Sequence, residues 1–193
     1  MTQVQTENDE KRPELPRVMI LGGCGFIGRH LVHYLVTQKA VSEIKVVDKR
    51  APLTASFSKA MLDLFKNPVV KMIQCDLSRA DLIDKKNLFN EPVEYIINVC
   101  GETRFGQSDQ DYQTKCVDTA VKCAERAAKM KGLIKWIEVS TAQVYEPKET
   151  PGATETSTIE PYTKLASFRL KVEKKLEDFK FLLINYLFFY FLF

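Results

Sequence analysis

The chain shows no excess of one charge, no paired cysteine spacing and no apolar run near its start. Across 193 residues acids and bases nearly cancel, leaving a net charge of +3 spread along the chain. No basic face for a phosphate backbone is visible, which excludes nucleic acid as an expected partner. The five cysteines (Cys24, Cys75, Cys100, Cys116 and Cys123) are odd in number, form no CxxC pair and mostly sit inside apolar runs. Thiols of this kind suit a reduced, cytoplasmic compartment rather than a disulfide framework or a zinc site, and no metal is expected. The opening "MTQVQTENDEKRPELP" is polar, carries two prolines and lacks the apolar core of a secretory signal. Residues 1–16 therefore read as a disordered lead. Repeats, low-complexity tracts and linkers are also lacking after residue 16. With 45% apolar residues the chain can bury one sizeable core, and one domain is expected.

From Arg17 onward, short apolar runs alternate with amphipathic segments. "RVMILG", "EIKVVD", "VVKMIQCDL", "VEYIINVC", "LIKWIEVST" and "FKFLLIN" are β-like, and their valine and isoleucine runs are continuous, as in strands covered on both faces. The clearest helix is "DYQTKCVDTAVKCAERAAKMKG", where Cys116, Val117, Ala120, Val121, Ala124, Ala127 and Ala128 share a face and Gly132 is the expected stop. Strand and helix alternate throughout. That pattern predicts an α/β fold with a doubly wound parallel sheet and a ligand at the carboxyl ends of its strands.

Gly22, Gly25 and Gly28 follow the first strand directly and open a helix carrying Ile27, Leu31, Val32 and Leu35. A tight turn, a close approach of backbone to a pyrophosphate, and a close helix–sheet contact each call for glycine here. The helix start, at Phe26 and Ile27, then offers free N–H groups to the phosphates. A glycine-rich turn without a ligand is the alternative reading. Against it stands Asp48, at the end of the second strand, where a carboxylate accepts hydrogen bonds from the adenosine ribose. The same charge repels a 2′-phosphate, so NAD is expected over NADP, although Lys49 and Arg50 soften the preference.

In this order and spacing, "GGCGFIG", "VVD", "CDL" and "STAQVY" resemble the extended short-chain dehydrogenase/reductases of the NAD-dependent epimerase/dehydratase type, relatives of the 3β-hydroxysteroid dehydrogenases. The resemblance runs from residue 17 to about 185 and implies a Rossmann fold over 17–185. It also implies that Asp76 and Leu77 lie beside the adenine and that Cys100 and Gly101 lie near the nicotinamide ribose. Asp76 reads equally as a helix N-cap for "LSRADLIDKKNLF", and Cys100 as a small buried apolar residue. The family's catalytic hydroxyl falls on Thr141, beside Ser140, and its catalytic tyrosine on Tyr162. A lysine four residues after that tyrosine would lower its pKa and hold the ribose. Ala166 stands there instead. Lys164 is no substitute on a helix, because a step of two turns it by about 200°, away from the tyrosine's face. Ser140 and Thr141 also read as strand-end hydroxyls, and Tyr162 as a helix-start aromatic.

The end of the chain departs from the family as well. After "FKFLLIN" comes the apolar, aromatic stretch 186–193 instead of a loop into a substrate domain, so that domain is expected to be largely missing and the chain to be a truncated, alternatively spliced or misread gene product. As a helix, residues 179–193 would span about 22 Å against a hydrocarbon core of about 30 Å, which disfavours a membrane anchor. The resemblance implies hydride transfer at a hydroxyl or ketone carbon of a sugar nucleotide, steroid or similar small molecule. A catalytically silent NAD(P)-binding module is the alternative that Ala166 raises, and a homodimer is compatible with the sequence.

Overall fold

The computed structural model describes residues 15–147, 153–154, 156–177 and 179. Five of the apolar runs form strands, β1 (Arg17–Leu21), β2 (Glu43–Asp48), β3 (Val70–Gln74), β4 (Tyr95–Asn98) and β5 (Lys135–Glu138). All pair in parallel, in the order β3-β2-β1-β4-β5. The sixth β-like run, "FKFLLIN", lies outside the described residues apart from Phe179.

Helices α1 (Phe26–Thr37), α2 (Lys59–Leu64), α3 (Ala80–Lys85), α4 (Asp109–Tyr112), α5 (Thr119–Ala127) and α6 (Lys164–Glu177) connect or follow the strands. A π-helical turn over Gln113–Asp118 joins α4 to α5. The long helix expected in this region therefore begins earlier, at Asp109, and contains a wide turn. It also ends at Ala127, with Ala128 as its C-cap. Gly132 lies beyond that end, at φ +82°, in the turn towards β5 rather than at the helix stop.

Alternation along the strands builds two cores, one on each face of the sheet. Val18 and Ile20 of β1 join Ile44, Val46, Val32 and Phe65 beneath α1 and α2. Met19 and Leu21 join Val47, Ile96, Trp136, Ile83, Ala120 and Leu176 beneath α3, α5 and α6. Each buried Val, Leu or Ile contributes about 1.5–3 kcal/mol relative to exposure. The crossovers change face between β1 and β4. That strand reversal opens the crevice in which sheets of this kind bind ligands.

Glycine is required at two points of the β1–α1 turn. Gly22 sits at φ +84°, and a Cβ there would stand 2.8 Å from the backbone of Cys100 at the end of β4. Gly28 lies inside α1, where a Cβ would come within 2.5 Å of the Gly22 carbonyl and Gly23. Those contacts pin the start of α1 against the sheet. No helix of the described residues is long and apolar enough to cross a membrane.

Candidate functional site

A cleft of about 710 Å³ opens over the carboxyl ends of β1, β2, β3 and β4. Gly22, Gly25, Phe26, Ile27, Asp48, Asp76, Leu77, Cys100 and Gly101 all line it. Gly28, the remaining glycine of the motif, is buried in α1 and acts through packing. A Cβ on Gly25 would meet only the Gly22 carbonyl, at 3.1 Å, so this position presents bare backbone to the cleft. α1 has no acidic residue in its first turn, which leaves the positive end of its dipole available to an anion.

Asp48 is buried, and its two carboxylate oxygens accept the Cys24 N–H at 3.0 Å and the Arg50 N–H at 2.9 Å. Both bonds come from backbone on either side of the cleft floor, so the carboxylate is oriented while lone pairs remain for hydroxyl donors. Asp76 accepts from the N–H and the hydroxyl of Ser78 at 3.0 and 2.7 Å. Burial raises the Asp76 pKa, but the Ser78 bonds outweigh it and hold the group below the usual carboxylate range. The N-cap reading of Asp76 does not hold for α3, whose N-cap is Arg79. Asp76 closes the turn before it instead.

The sequence did not single out Glu102, Arg104 and Lys115, which also line this cleft. Glu102 is buried, bonded to the Arg104 guanidinium at 2.8–3.0 Å and to two backbone N–H groups. Arg104 is the main cause that brings the Glu102 pKa down to about 2. Lys115 stands 3.8 Å from the same carboxylate and pairs with Asp111. The acid and base two residues apart in "GETR" were the available signal. Burial pushes the Cys100 thiol well above its ordinary value, so it behaves as a protonated, apolar group. All five cysteines are free thiols, and Cys24, Cys75, Cys116 and Cys123 are buried.

Thr141 and Tyr162 are not among the residues lining the cleft. Thr141 caps a short turn by accepting the Gln143 N–H at 3.3 Å, and Ser140 donates its hydroxyl to Glu173 of α6. Tyr162 is 55% exposed. It precedes α6, which Thr163 caps by accepting the Ala166 N–H at 3.1 Å. The angular comparison expected for a helical Tyr162 therefore does not apply. Lys164 is committed elsewhere, 2.7 Å from Asp109. Ala166 is fully buried against Val144, Tyr145 and Leu170. Among the described residues no group of three or more His, Cys, Asp or Glu could hold a metal ion.

The model of the NAD dependent epimerase/dehydratase family matches residues 18–179. The chain belongs to the NAD-dependent epimerase/dehydratase family. The fold is similar to that of the UDP-Glc/GlcNAc 4-epimerase from Campylobacter jejuni, at TM-score 0.75 and 24% identity, covering 91% of this chain and 53% of that one. It is similar as well to the UDP-glucuronic acid 4-epimerase from Bacillus cereus in complex with NAD, at TM-score 0.74 and 21% identity, covering 89% and 55%. A curated relative, the hybrid PKS-NRPS synthetase prlS from Fungal sp., is 24% identical over 77% of this chain and 4% of its own length. The chain thus spans about half the length of these solved family structures and a small part of that synthetase.

Proposed function

We propose that the chain binds NAD in the cleft and serves hydride transfer at a hydroxyl or ketone carbon of a sugar nucleotide or similar small molecule. One observation carries the reading. Nine residues chosen from the sequence for a single dinucleotide line a single cleft, although they come from the ends of four strands and the start of α1. The residues suit the cofactor. Gly22 and Gly25 leave room for a diphosphate against bare backbone, and the first turn of α1 supplies N–H donors and positive potential. Asp48 accepts from the adenosine ribose and repels a 2′-phosphate, which favours NAD over NADP. Asp76 and Leu77 flank the adenine, and Cys100 and Gly101 flank the nicotinamide ribose. When bound, the nicotinamide accepts and returns the hydride.

The family pattern gives Thr141 the substrate oxygen and Tyr162 the proton exchange, although neither residue is among those lining the cleft. The likeness to sugar-nucleotide 4-epimerases supports this transfer chemistry over a silent binding module. Titration of the protein with NADH and NADPH, followed by nucleotide fluorescence, tests the site. Gly25→Val is expected to abolish binding. Asp48→Ala is expected to weaken NADH by roughly 10- to 100-fold, the loss of one charge-assisted hydrogen bond, and to improve NADPH relative to NADH. If neither substitution changes either affinity, the cleft is not the cofactor site.

A further inference from the structure

The cleft floor at Cys100–Gly101 rests on a polar group sealed inside the protein. Asn98 of β4 and Glu138 of β5 stand opposite each other in the sheet register. The Asn98 side-chain amide donates to both Glu138 oxygens, at 3.0 and 2.8 Å, and the Trp136 indole N–H donates to the same carboxyl group at 3.1 Å. The other end of the amide, Asn98 Oδ1, accepts the Cys100 N–H at 3.2 Å. From α6, the buried Arg169 brings Nη1 to 3.8 Å from Glu138 and donates to the Cys100 carbonyl at 3.3 Å. Its Nη2 lies directly under Gly101, 2.7 Å from where a Cβ would be, and Gly101 holds φ +141°. The Cys100 residue is therefore held at both its N–H and its carbonyl. Both holders take their own orientation from one carboxyl group.

Burying a carboxyl and a guanidinium is costly, and such a pair is poor evidence for stability. Apolar residues would fill this part of the core more cheaply, as Ile96 and Met19 do nearby. The arrangement instead delivers a rigid backbone at one place, the segment after β4 that lines the cleft. We infer that Asn98 and Arg169, oriented by Glu138, are positioning residues that fix the Cys100–Gly101 backbone for the nicotinamide half of the cofactor. The inference rests on the NAD reading given above. It separates the two halves of the cleft, because the Asp48, Asp76 and Gly25 contacts to the adenosine diphosphate half do not involve the buried group.

That separation supplies a readout that a merely structural residue would not move. NADH and ADP are titrated in parallel against the native protein, Arg169→Met and Arg169→Lys, with each variant's melting temperature measured alongside. In Arg169→Met the dissociation constant for NADH is expected to rise about tenfold, the equivalent of one well-placed hydrogen bond, while that for ADP stays within about twofold. Arg169→Lys keeps a cation in place and is expected to recover part of the NADH affinity, which also covers the case that the methionine variant fails to fold. Equal loss of NADH and ADP, or loss of neither, in a folded variant overturns the positioning role and leaves the cofactor site standing. A native protein that binds neither nucleotide overturns both.

Discussion

The two halves of the cleft are built by different means. On the side of β1, β2 and β3 the work falls to backbone and to residues close in sequence: the Gly22 turn, the start of α1, Asp48 bonded to Arg50 N–H, and Asp76 bonded to Ser78. On the side of β4, β5 and α6, the Glu102–Arg104 pair aside, it falls to side chains far apart in sequence that meet inside the protein. Asn98, Glu138 and Arg169 hold the cleft floor, and Ser140 is bonded to Glu173. The first half depends on conformation, which a glycine or a short turn fixes locally. The second depends on buried charge, which responds to pH and to any change in packing.

Substitution at position 166 breaks this contrast most strongly. A lysine there, the residue the family pattern expects, would enter a fully buried site beside Val144 and Tyr145. Ala166→Lys is expected to destabilise the fold by roughly 3–5 kcal/mol, the cost of an uncompensated buried charge, read as a fall in denaturation midpoint. An unchanged midpoint would mean that position 166 opens to the cleft and that the lysine is simply lacking.

A pH series isolates the charged half. Burial is the main cause that lifts the Glu138 carboxyl from its usual 4.5 to about 7, with Arg169, Asn98 and Trp136 opposing and Glu173 adding to the rise. The native state thus holds the proton more tightly than the unfolded chain. Its contribution to stability is complete below about pH 4.5 and is lost as pH rises through about 7, by roughly 3 kcal/mol at most. Glu173 is shifted in the same direction by burial and steepens the loss. Urea denaturation at about pH 5 and about pH 8 is expected to show the difference, and Glu138→Gln to remove most of it. A native protein equally stable at both values would show that the carboxyl is better hydrated than its packing indicates. The smallest effect is expected at Tyr162. Because this side chain is largely exposed, Tyr162→Phe should change stability by less than about 0.5 kcal/mol. A larger loss by thermal denaturation would place the phenol in the fold rather than at its surface.

The same contrast explains what could be read from the sequence. Strands such as "EIKVVD" were legible because continuous Val and Ile runs need cover on both faces, and the glycine positions because each has a local mechanical cause. The buried group was hidden because Glu138 and Arg169 lie on different elements, and "LIKWIEVST" reads as a strand whichever way its acid faces. A polar residue near the end of each of two neighbouring apolar runs, Asn98 in "YIINVC" and Glu138 in "KWIEVS", was the available clue, but only the strand register pairs them. The wide turn at Gln113–Asp118 was illegible for a similar reason. Helical spacing marks which residues face inward, not how many residues fill one turn.

That wide turn also determines where the chain can change length. Tyr112, Cys116 and Ala120 are all buried, at steps of four residues. Each such step drifts by about 40° on a regular α-helix, and the looser π-helical turn takes up the drift. Between Gln113 and Asp118 a single residue can be lost by relaxing to ordinary helical winding, with α4 and α5 keeping their facing. The same loss within α5 would rotate every later residue by about 100° and carry Cys123, Ala124 and Ala127 off the sheet. The helix thus has a joint that tolerates a change in residue number, and that joint contains Lys115 and ends just before Thr119, the two residues of this helix that reach the cleft.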